Sequence, residues 1–124
     1  MNIEEFKKSS EYALFIKENP GIGQLKIRAY AASEALPVSG LNIVVSSMIF
    51  NKKIVFYKGV TDSSGVVPTL SLPTPSLVNN LEIPKTIKYD IEVVENNSIY
   101  PVNMYDGVCV VQNINFVPGD SNGN

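Results

Sequence analysis

Val60-Thr61-Asp62-Ser63-Ser64-Gly65-Val66-Val67-Pro68-Thr69-Leu70-Ser71-Leu72-Pro73 reads as a tight polar turn between two β-type segments. The Asp62 carboxylate is placed to accept from backbone N–H groups just ahead of it. Gly65 supplies the positive φ that such turns use. Leu70 and Leu72 then alternate with Thr69 and Ser71 before Pro73 closes the run. Period-two alternation beside a turn of this kind marks an all-β chain.

The same period recurs on both sides of that turn. Leu25, Ile27 and Ala29 alternate with Lys26, Arg28 and Tyr30, a half-buried strand. Residues 41–48 make a second strand, with Leu41, Ile43 and Val45 on one face. Asn51-Lys52-Lys53 turns the chain, and residues 53–60 form a third strand, with 69–72 a short fourth. Residues 73–85 hold Pro73, Pro75 and Pro84 and read as a surface loop. Ile87, Tyr89, Ile91 and Val93 point one way and Lys88, Asp90 and Glu92 the other, the clearest alternation in the chain. Strands over 100–105 and 108–117 follow, joined by an Asp106-Gly107 turn. Seven short strands separated by turns predict a seven-stranded antiparallel Greek-key β-sandwich over residues 21–118.

Residues 2–19 change period. Ile3, Phe6, Ala13, Leu14 and Ile16 mark an apolar stripe, with Asn2 as N-cap and Glu4 and Glu5 at the positive end of the dipole. Asn19-Pro20-Gly21 stops this helix. Residues 1–20 are therefore expected to form a helical arm. Its Phe6, Tyr12, Leu14, Phe15 and Ile16 carry more apolar bulk than a solvated helix needs, which makes them candidate interface residues. The arm packs either on its own sandwich or on a neighbour. Residues 119–124 read as a disordered tail.

Composition narrows the chemistry. With 44% hydrophobic and 18% charged residues in 124, the chain is globular and long enough for a real core. The net charge is −2, and the ten basic residues form no cluster beyond pairs, which argues against a nucleic-acid face. There is no histidine, so Ser-His and Cys-His nucleophilic mechanisms are excluded and the commonest transition-metal ligand is missing. Cys109 is the lone cysteine. It reads as a strand packing residue, or as half of an intermolecular disulfide if the chain oligomerises. Asp62-Ser63-Ser64-Gly65 lacks the alternating acids and later glutamate of a calcium loop. No stretch is long and apolar enough to span a membrane, and the N-terminus has acids where a secretory signal needs bases. The inventory predicts no cofactor, no metal and no enzymatic activity.

Several motifs resemble a known family. Ala35-Leu36-Pro37-Val38-Ser39-Gly40-Leu41-Asn42-Ile43, the Thr61-Asp62-Ser63-Ser64-Gly65 turn, and Tyr89-Asp90-Ile91-Glu92-Val93 followed by Tyr100-Pro101-Val102 resemble carboxypeptidase-regulatory-like, transthyretin-like sandwiches. The match covers about residues 23–118. Phe15-Ile16-Lys17-Glu18-Asn19-Pro20-Gly21-Ile22-Gly23, Leu72-Pro73-Thr74-Pro75 and Asp106-Gly107-Val108 are similar to a branch found in spore-forming Gram-positive bacteria. The family's usual glycine before Tyr100 is Ile99 here.

The resemblance implies a transthyretin-like or immunoglobulin-like fold and an accessory or surface-associated role. One branch of the fold is a hydrolase that depends on histidines, which this chain lacks. Another, the collagen-adhesin B-type repeats, forms a Lys–Asn isopeptide. Its counterparts would be Lys26, Asn113 or Asn115, and Glu92 as the acid.

The expected function is that of a non-catalytic structural or interaction module, self-assembling or docked on a spore-surface or extracellular structure reached by a route other than Sec. The alternative is a glycan- or peptidoglycan-binding module, with Tyr30 and Tyr57 on the polar-alternating faces of their strands or with the 73–85 loop.

Overall fold

The structure, a computed structural model, describes residues 1–31, 35–77 and 85–117. The tail expected to be disordered and most of the proline-rich loop lie outside the described residues. Two helices, α1 (Ile3–Phe6) and α2 (Glu11–Glu18), precede eight strands. These are β1 (Gly21–Ala31), β2 (Leu36–Pro37), β3 (Asn42–Ile49), β4 (Lys52–Val60), β5 (Leu70–Thr74), β6 (Ile87–Val93), β7 (Ser98–Met104) and β8 (Cys109–Asn115). One sheet runs β4-β3-β6-β7. The other is built on β1, which takes β8 along one side and shares its second side between β5 and β2. The expected sandwich is present, with the two-residue β2 as an additional strand. Pairing is antiparallel except between β1 and β8, which run parallel.

Alternation decides what lies between the sheets. Leu25, Ile27 and Ala29 of β1 meet Ile43 and Val45 of β3, Tyr89, Ile91 and Val93 of β6, and Ile114 of β8 in one buried cluster. Tyr89 is fully buried, its ring edge-on to Phe56 at 5.1 Å, and its hydroxyl donates to the Pro73 carbonyl at 2.6 Å. Burial pushes that phenol far above its ordinary pKa. The bond ties β5 of one sheet to β6 of the other.

The opening turn fills a notch. Between the stretches of β1 that pair with β5 and β2, the Asp62–Val66 turn supplies the missing ladder. Arg28 bridges to Val66, and Ala29 N–H donates to the Gly65 carbonyl at 2.7 Å. Asp62 Oδ1 accepts from Ser64 and Val66 N–H at 2.8 and 3.2 Å, the expected side-chain turn. Thr61, buried, donates to the Val38 carbonyl and accepts from Leu41 N–H.

Two local readings change. The expected single helix over 2–19 is broken at Lys7–Ser10, where the Ser9 hydroxyl donates to the Phe6 carbonyl at 2.7 Å. Phe6 and Phe15 are nine residues apart and would sit on opposite sides of a continuous helix at 100° per residue. The break turns both onto Ile49 and Ile54 in a second buried cluster. Asn2 caps α1 as expected, through a reciprocal capping box with Glu5.

The β3–β4 hairpin turns at Phe50-Asn51, one residue earlier than read from the sequence, with φ of 50° and 64°. Both central residues are left-handed, as in a type I′ turn. A phenylalanine is costly there, so Phe50→Asn is expected to raise stability by about 1 kcal/mol, checked by the midpoint of urea unfolding.

Candidate functional site

The outer face of the β1–β8 sheet is built by parity. Even-numbered residues of β1 point outward, and the parallel register sets Lys26 beside Val111, Arg28 beside Asn113, Tyr30 beside Asn115 and Gln24 beside Cys109. The Asp106-Gly107 turn delivers β8 to this position. Asp106 Oδ1 accepts from Ile22 N–H at 3.0 Å, and Gly107 N–H donates to the Ile22 carbonyl at 2.9 Å.

This face has an uneven electrostatic character. Arg28 lies over the Tyr30 ring, 5.2 Å from its centroid, which fixes the guanidinium. Lys26, Arg28, Val66, Val67 and Thr69 line a shallow cleft of about 320 Å³. Among the described residues, ion pairs engage Lys7, Lys52, Lys53 and Lys88 but neither Lys26 nor Arg28. Val111 stands beside Lys26, 47% exposed, and Ile22 lies on the same face at the start of β1, 55% exposed. Arg28 and Val111 were not singled out from the sequence. The available signal was Arg28 two residues from Lys26 on one strand face with no acid near it.

The isopeptide trio is not brought together. Lys26 is on the outer face of the β1 sheet. Glu92 is on the outer face of the other sheet, where Lys53 Nζ pairs with it at 3.5 Å. The whole core separates them. Asn113 and Asn115 share the face of Lys26 but are exposed, in no apolar site that could shift a lysine.

The tyrosine pair is corrected as well. Tyr30 is on the outer face, but a bulge between Val45 and Ser46 leaves Phe56 without a partner residue and turns Tyr57 against the main core. Among the described residues, no group of three or more acids or cysteines is placed to hold a metal ion. Cys109 is exposed at the start of β8 rather than packed.

The arm packs in cis. Phe6 is fully buried and Phe15 is 2% exposed, and both touch their own sandwich. Ring contacts of 5.1–6.1 Å, edge-on except for the tilted Phe15–Phe56 pair, link Tyr12, Phe6, Phe15, Phe56 and Tyr89 in one aromatic chain. Phe6 and Phe15 are thus internal contacts rather than contacts to a neighbour. Tyr12 and Ile16 are half-buried at the rim, and Leu14 stays exposed.

Glu95 closes the opposite end of the molecule. Burial alone would push its carboxyl up, but hydrogen bonds from the side chain and backbone N–H of Asn42 and from its own backbone outweigh this and hold it below the usual carboxylate range. The stabilisation it gives is present above the ordinary carboxylate pKa and is lost as pH falls through the lowered value.

No protein-family model matches the chain, and no curated protein matches it. Among solved structures, the chain is similar to the Klebsiella pneumoniae 5-hydroxyisourate hydrolase, with a TM-score of 0.52 at 14% identity over 77% of this chain and 91% of that one. A transthyretin from Sparus aurata aligns with a TM-score of 0.49 at 14% identity over 73% and 86%. The first likeness corrects the expectation that the chain is not an enzyme: the same sandwich is the scaffold of a hydrolase, so the residue inventory does not exclude catalysis. No helix among the described residues is long and apolar enough to cross a membrane. The chain has a transthyretin-like fold.

Proposed function

We propose that this chain is a structural, protein-interaction module that self-associates within a larger assembly. A spore-surface or extracellular structure is the setting to which its sequence resemblance to carboxypeptidase-regulatory-like sandwiches of spore-forming bacteria points. The observation that supports this reading best is the outer β1–β8 face. It keeps Val111 in solvent beside Lys26, which no ion pair among the described residues engages, with Arg28 over Tyr30 further along β1 and Ile22 exposed at its start. Tyrosine and arginine next to exposed aliphatic side chains are the composition of protein-binding hot spots. Light scattering of the full chain from 1 to 500 μM tests it. Mass rising with concentration is the expected result, and a constant monomer mass overturns the reading.

A second reading is favoured by the cleft at Lys26, Arg28 and Thr69, whose two cations suit an acidic glycan. Under that reading a monomeric protein is retained on cell-wall polymer, and Arg28→Ala with Lys26→Ala abolishes retention.

A further inference from the structure

We infer that the outer margin of β8 is a docking edge that pairs with β8 of a second copy of this chain, antiparallel and about a two-fold axis. This deepens the self-association reading and rests on it.

The argument starts from the strand margins, because an unpaired row of N–H and C=O groups recruits another strand unless it is blunted. The margin of β4 is interrupted at Val55 by the N-terminus, where Val55 N–H donates to the Met1 carbonyl at 2.9 Å and Asn2 bridges to Val55, and the strand carries the charges of Lys52, Lys53 and Lys58. The margin of β7 is interrupted at its centre by Pro101, and proline sits in a sheet with its nitrogen toward the open side. The margin of β5 carries Pro73, which has no N–H and whose carbonyl is taken by Tyr89. β2 is two residues long and includes Pro37.

β8 has none of these devices. Its sequence, Cys109-Val110-Val111-Gln112-Asn113-Ile114-Asn115, contains no proline and no charge. Gln24 N–H donates to Val108 O, and Phe116 N–H donates to Tyr30 O. Even-numbered residues therefore face β1, and Cys109, Val111, Asn113 and Asn115 present their N–H and C=O groups to the open side. No described strand lies there. The Gln112 side chain covers a single one of these groups, the Asn113 carbonyl, at 2.9 Å.

The chemistry of the margin selects the occupant. Two uncharged strands meet without like-charge repulsion. An antiparallel pair centred on Gln112 sets Val111 opposite Asn113. One centred on Val111 sets Cys109 opposite Asn113. Both registers match open groups with open groups on each copy and close as a two-fold contact. In both registers the two Cys109 thiols are four to six residues apart along the strands, about 13–20 Å, so the contact needs no disulfide.

Sedimentation velocity of the full chain, with and without reductant, tests this beside Val111→Pro, Val111→Lys and Cys109→Ser. The expected result is a concentration-dependent dimer unchanged by reductant or Cys109→Ser. Val111→Pro removes an open-side donor while sparing the β1 ladder, and it weakens the dimer at least tenfold with an unchanged circular dichroism spectrum. If that variant does not fold, Val111→Lys gives the same readout, because its side chain lies on the exposed face. Amide exchange at Val111 and Asn113 slows as concentration rises. A wild-type dimer that Val111→Pro and Val111→Lys leave intact overturns the β8 contact while self-association stands. A dimer lost in reductant overturns it in favour of a Cys109 disulfide. A wild-type monomer at every concentration removes the self-association reading together with this inference.

Discussion

Gly65→Ala is expected to destabilise the protein by about 3 kcal/mol, read as a lower midpoint of urea unfolding. Gly65 has φ of +77°, a region that a Cβ disfavours. A Cβ there would also sit 2.5 Å from the Ala29 carbonyl oxygen and 3.1 Å from Val38 N. Neither atom is the end of a flexible side chain. The Ala29 carbonyl accepts from Val38 N–H, and Ala29 N–H donates to the Gly65 carbonyl, so any retreat breaks the ladder that fills the notch in β1. Gly40→Ala is the control. Its φ is +83°, but a Cβ there meets nothing within 4 Å. That variant is expected to lose about 1 kcal/mol, the backbone share alone. Equal losses for the two variants would show that the close approach to Ala29 contributes nothing.

Phe6→Ala is the second large effect, a loss of about 3–5 kcal/mol. Phe6 is fully buried, edge-on to Tyr12 and Phe15, and closes the cluster over Ile49 and Ile54. The size of the loss reports how the arm is held. If Phe6 and Phe15 act through one docked unit, the double variant with Phe15→Ala costs little more than either single change, because undocking forfeits both contacts at once. Cleavage by trypsin after Lys7 or Lys8 is expected to accelerate in parallel. Additive losses with unchanged proteolysis would mean that the arm stays in place around two independent cavities.

The strands were readable because one buried face imposes period two, and Ile87–Val93 shows it without exception. The Asp62 turn was readable because its hydrogen bonds are local. The break in the helix was less so: an apolar stripe reports that residues are buried, while the angle between Phe6 and Phe15 depends on the surface they must cover. Tyr57 was misplaced because one bulge reverses parity for the rest of a strand. The isopeptide trio failed for a related reason. Parity says that Lys26 and Glu92 both face outward, but it does not say from which sheet. Pairing between β1 and β8 joins distant parts of the chain and leaves no local mark, so the two cations that make no ion pair among the described residues and the open margin came into view only in three dimensions.

That distant pairing also orders events during synthesis. β1 leaves the ribosome well before the parallel partner that covers it, β8, which comes about 85 residues later, a delay of several seconds at cellular elongation rates. Until then Gly21–Ala31 is an extended, strand-forming segment with one whole side unclaimed. Lys26 and Arg28 fill the outward positions at its middle, where a charge most hinders pairing between nascent chains. Their charges act as gatekeepers before the chain is finished, whatever they bind once it is folded.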